Sequence, residues 1–101
     1  MFQVKIFPVE GDYKIRDFHN WVIEVTDESG PVEGAAILMS GGMDAHGHGL
    51  PSQPEVTKAL GAGRYLIEGV LFNMAGLWNL QFLIRTQKIE DLARFDITLE
   101  F

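Results

Sequence analysis

The sequence predicts an all-β fold, an immunoglobulin-like β-sandwich of about seven antiparallel strands. Two observations carry this. Apolar residues recur at every second position along most of the chain, and Gly and Pro interrupt the alternation at short intervals, with almost no helical periodicity. A third bounds the size: 101 residues, 47% of them hydrophobic and including seven Phe and two Trp, suit one domain spanning 1–101 with a real core.

Strands are expected near residues 2–7, 20–27, 34–40, 54–59, 63–72, 78–86 and 93–101. In the second, Trp21, Ile23 and Val25 alternate with Glu24 and Thr26. In the third, Met39 is in phase with Ile37 and reads as core. In the sixth, Trp78, Leu80, Phe82 and Ile84 alternate with Asn79, Gln81 and Arg85. In the last, Phe95, Ile97, Leu99 and Phe101 alternate with Arg94, Asp96, Thr98 and Glu100. Asp27 to Pro31 and Gly61 to Gly63 carry turn chemistry. Residues Ile89 to Leu92 suggest a short helical turn, with Glu90 and Asp91 solvated. The first and last strands are the expected sheet edges, open to pairing between chains.

Strand order has a geometric consequence. If successive strands run antiparallel, the first, third and fifth connections share one end of the sandwich. The first ends at His19, the third holds Met43, His46 and His48, and the fifth holds Met74. Those five residues are therefore expected to gather at one pole.

The third connection, Gly41-Gly42-Met43-Asp44-Ala45-His46-Gly47-His48-Gly49-Leu50-Pro51, is the chemically distinctive segment. In an extended backbone His46 and His48, at i and i+2, project from one face, so two imidazoles reach one ion. A thioether from Met43 or Met74 adds softness and favours cuprous copper over zinc or magnesium. The imidazoles must be neutral to ligate, so acid opposes binding. The structural readings stand beside this one. His-x-His in a glycine-rich loop is also met as a solvated turn, Met74 as a core filler, His19 as a strand-start residue bonded to nearby backbone, and Trp78 as core.

Other chemistries are disfavoured. With no cysteine, disulfides, thiolate metal sites and thiol nucleophiles are excluded. A formal charge of −6, with no cluster of Lys or Arg, argues against nucleic acid. Asp44, His46 and the serines Ser40 and Ser52 lack a nucleophile elbow, and no phosphate-loop spacing occurs, so an enzyme is not expected. No stretch has the length of a membrane span, and the N-terminus lacks the layout of a signal peptide.

Taken in order, His19-Asn20-Trp21, Gly30-Pro31-Val32-Glu33-Gly34-Ala35, Gly41 to Pro51, Gly63-Arg64-Tyr65, Glu68-Gly69 and Phe72-Asn73-Met74-Ala75-Gly76-Leu77-Trp78 resemble the YtkA-like family. The resemblance runs from about residue 19 to 86, and Gly41 to Gly49 is its most specific part. It implies a small immunoglobulin-like domain of a bacterial extracytoplasmic protein, periplasmic or similarly placed, some relatives being associated with copper handling. It also implies that the histidine loop and the Phe72 to Gly76 segment are matched parts of one pattern. Relatives commonly carry Pro where Asp44 stands and His where Asn73 stands. The expected function is copper binding or transfer, with His46 and His48 as ligands, Met43 and Met74 as soft auxiliaries and His19 as a third imidazole. A copper-accepting membrane or periplasmic protein is the implied partner. The alternative is a non-catalytic interaction module in which the same loop is structural.

Overall fold

The computed structural model describes residues 1–100, and Phe101, expected as the last inward residue of the final strand, lies outside them. Among the described residues nine strands form two antiparallel sheets. Seven are the main strands: β1 (Gln3–Pro8), β2 (His19–Asp27), β4 (Ala36–Met43), β6 (Glu55–Gly61), β7 (Arg64–Val70), β8 (Gly76–Arg85) and β9 (Glu90–Leu99). Two are two-residue additions, β3 (Gly30–Pro31) and β5 (His48–Gly49). One sheet runs β1-β2-β7-β6 with β3 paired to the end of β2, and the other runs β5-β4-β8-β9. That is the strand order of an immunoglobulin-like sandwich.

Alternation builds the core. Trp21, Ile23, Val25, Tyr65 and Ile67 from the first sheet meet Ile37, Trp78, Leu80, Phe82 and Ile84 from the second, and all are buried. Met39 is only partly buried and packs on the margin of this cluster. The Tyr65 hydroxyl donates to the Val32 carbonyl at 2.6 Å and accepts from the Ala35 N–H at 3.1 Å, tying the β3–β4 connection to β7.

Two local expectations are corrected. Ile89 to Leu92 form no helical turn. The Thr86 hydroxyl accepts from the N–H groups of Lys88 and Ile89, closing a tight loop, and β9 begins at Glu90, paired with Arg85. The Arg85–Glu90 ion pair at 2.7 Å spans this first rung. Second, Gly41, Gly42 and Met43 belong to β4 and not to a loop. A Cβ on Gly41 would sit 2.6 Å from the Asn79 carbonyl oxygen, and one on Gly42 would sit 2.5 Å from that of His48. These glycines permit close strand approach, so they extend the sheet instead of breaking it.

Sheet pairing fixes the pole. His19 at the start of β2 pairs with Val70 at the end of β7. Gly42 near the end of β4 pairs with Asn79 near the start of β8. The connections before β2, after β4 and after β7 thus open at one end of the sandwich.

Candidate functional site

Within that pole the third connection is not extended, which overturns the simple i, i+2 geometry. Asp44–His46 form one 3-10 turn, and Gly47 closes it at φ 64° with its N–H donating to the Asp44 carbonyl. The turn reverses the chain so that His48 pairs with Met43 and Gly49 with Gly42. Residues directly opposite across a ladder share a face. Met43 is 2% exposed, so its face is the inner one, and His48 sits half-buried beside it.

His46 and His48 are still brought together, by the turn. Their rings stack with centroids 6.0 Å apart and planes at 30°. The His46 ring is exposed, whereas His48 leans edge-on against Trp78 at 5.7 Å. The Nδ1 of His48 lies 3.0 Å from the Gly49 carbonyl oxygen. A carbonyl only accepts, so Nδ1 carries the proton and the lone pair of the neutral ring is left on Nε2. His48 also borders a shallow cleft with Ser40, Asp44 and Asn79, which opens it to solvent.

Both methionines belong to the same cluster, and the His48 ring lies near their sulfurs. The Met43 Cε occupies space that a side chain at position 76 would need: a Cβ on Gly76 would approach it to 2.7 Å. Met74, half-buried in the β7–β8 connection, is held by its backbone, whose carbonyl accepts the Trp78 indole N–H at 3.1 Å. One imidazole, two thioethers and an indole therefore meet where the two sheets end.

His19 is placed differently. It is 6% exposed, its Nδ1 donates to the Asp17 carbonyl at 3.1 Å, and its Nε2 accepts the Lys14 N–H at 3.3 Å. Both ring nitrogens are engaged. Burial holds its pKa below the usual histidine value of 6.5, against the hydrogen bond to Asp17 that pulls it up. The rings of Phe72 and Trp78 stand between it and His48 in an unbroken series of contacts, 5.9 Å, 5.1 Å and 5.7 Å. Trp21 and Tyr13 extend that series, with Tyr13 to Trp21 at 5.1 Å, and the buried Trp21 indole N–H has no acceptor among the described residues.

Among the described residues no group of three or more His, Asp or Glu side chains converges on a metal position. The soft set of His48, Met43 and Met74 is of a different kind, since two of its donors are thioethers. The Ser52 hydroxyl donates to the Gly69 carbonyl at 2.6 Å and so turns to the backbone. The sequence flagged Trp78 only as core. Its second role, joining Met74 to His48, depends on a backbone carbonyl and a reversed loop that strand periodicity does not encode.

A sandwich of this strand order, with a His/Met pole, defines a small all-β domain of the immunoglobulin-like type. The chain belongs to the YtkA-like family, whose profile matches residues 9–82. That span covers every residue of the pole and stops within β8. No curated protein and no solved structure matches the chain significantly.

Proposed function

We propose that this domain binds copper, as a carried ion, at the His/Met pole and passes it to another protein. The observation that carries the reading is the pairing of His48 with Met43: a free imidazole Nε2 is held beside a buried thioether, with Met74 close by. Such a donor set favours the soft cuprous ion over zinc or magnesium. His46, exposed and stacked on His48, is the entry ligand, able to leave the ion when it is transferred. His19 supports the pole from behind instead of ligating. The domain acts as a carrier and not as an enzyme, in a periplasmic or otherwise extracytoplasmic setting, handing copper to a membrane or periplasmic acceptor.

A second reading has its own support. His19 and His48 both bond backbone carbonyls, as scaffold histidines of an accessory module do. Titration with Cu(I) under a competing chelator separates the two. The carrier reading expects stoichiometric binding that is lost in His46→Ala/His48→Ala. Equal binding by both proteins, or none by either, assigns the pole to structure.

A further inference from the structure

The edges of the two sheets are not alike. β1 carries Lys5 and Pro8, β6 carries Lys58 and two register irregularities, and β9 carries Glu90, Asp91, Arg94 and Asp96. Charge, proline and bulges of this kind prevent edge-to-edge pairing. β4 has none of them: from Ala36 to Met43 it reads AILMSGGM. Its outer neighbour β5 covers only Gly42 and Met43.

The backbone direction along this open edge follows from one hydrogen bond. The Gly41 carbonyl accepts the Leu50 N–H at 3.0 Å, on the β5 side. Peptide groups alternate between the two sides of a strand, so Met39 and Ile37 direct their N–H and C=O groups to that same side. Among the described residues no strand is paired with them there, because the chain leaves the lane after Leu50 and crosses to the start of β6, which packs near β4 without joining its ladder. A groove of about 360 Å³ borders this edge, lined by Met39, Leu50, Ser52, Pro54 and Glu55.

The outer face of the same sheet adds an independent feature. Leu38, Leu83 and Leu92 stand directly opposite one another on β4, β8 and β9, forming an outward apolar row across three strands. The row ends at the open edge, on Leu38, which is 68% exposed.

We propose that β4 pairs with β4 of a second copy, antiparallel about a two-fold axis through Leu38. In that register Ile37 faces Met39 of the second copy and Leu38 faces Leu38. The outward-directed peptide groups of Ile37 and Met39 are then satisfied on both chains, and no other residue has to change partner. The leucine row runs unbroken across both copies, three strands from each. Charge permits this occupant: the chain carries a net charge of −6, but β4 itself holds no charged residue and brings Ala36 opposite Ser40, with Glu55 set in the adjoining groove.

Sedimentation velocity over a dilution series tests the pairing, with far-UV circular dichroism confirming that each variant is folded. The wild type is expected in a monomer–dimer equilibrium. Leu38→Asp and Leu38→Lys, each placing like charges on the axis, are expected to weaken association about tenfold or more. An equimolar mixture of the two variants is expected to dimerise again, because position 38 faces itself only in this register. Leu77→Asp, further along the same outer face, is expected to associate as the wild type does. A wild type that stays monomeric throughout, including one that takes up an added extended peptide at this edge, overturns the proposal. So does a Leu38→Asp protein that associates normally, or a mixture that fails to recover.

Discussion

Met43 and His48 face each other across the two-residue ladder that closes the histidine loop, with Met43 buried and His48 half-open to solvent. One partner is fixed by the core and the other is reachable from outside. On the proposed reading, the pole would hold an inner donor that stays and outer ones that exchange.

The two loop histidines are not equivalent, and copper binding is expected to show it. His48→Ala removes the ring next to both sulfurs and is expected to lower Cu(I) affinity by roughly tenfold or more, a scale typical of losses at metal-site residues. His46→Ala leaves the inner donors in place and is expected to lower it less. Competition titrations of the single variants measure the order, and the reverse order contradicts the assignment of inner and outer ligands.

Gly76 guards the position of Met43. A methyl group there meets the Met43 Cε at 2.7 Å, on a backbone whose φ of 128° suits glycine alone. Gly76→Ala is expected to cost about 1–3 kcal/mol of stability by overpacking and strain. Urea denaturation gives the first quantity. The same variant is expected to bind Cu(I) more weakly, because Met43 must move.

Tyr65→Phe isolates the tie between β7 and the β3–β4 connection. It deletes a donor to the buried Val32 carbonyl and an acceptor for the Ala35 N–H. The expected loss is about 1–3 kcal/mol with Cu(I) affinity unchanged, since the residue lies in the opposite half of the sandwich from the pole. Parallel loss of metal binding counts against treating the two ends as independent.

His19 makes stability depend on pH in a defined direction. Burial lowers its folded-state pKa below the unfolded value of 6.5. Between the two values the unfolded chain binds more protons, so stability falls as pH drops through that window and levels off below the folded value. Urea midpoints measured from neutral to mildly acidic pH are expected to decline in the wild type. In His19→Gln the decline is expected to be shallower, whatever the variant's absolute stability. An unchanged slope places the titration elsewhere.

The strands themselves were written in the alternation of residues such as Trp21, Ile23 and Val25, because burial on one face leaves a period of two. Antiparallel order then located the pole without any side-chain detail. What alternation does not encode is why Gly41 and Gly42 stand where they do. Glycine serves both loops and close strand contacts, and only the carbonyls of Asn79 and His48 decide between them. The same ambiguity hid the reversal at Gly47, and with it the real partner of His48. His19 was legible as a member of the pole but not as a ring with both nitrogens occupied, since its partners are backbone groups of Lys14 and Asp17. Strand order makes β1 and β9 edges, as expected, but the open stretch of β4 is not legible in it, because it depends on a neighbour, β5, that pairs with β4 over two residues only.

The indole of Trp78 is anchored by one end to the Met74 carbonyl and touched on its ring by His48. An ion settling between that thioether segment and that imidazole perturbs the excited state of a buried chromophore. Occupancy of the pole would then register as a change in intrinsic emission, and Trp78→Phe, which leaves Trp21 as the single indole, separates that signal from the rest of the fold.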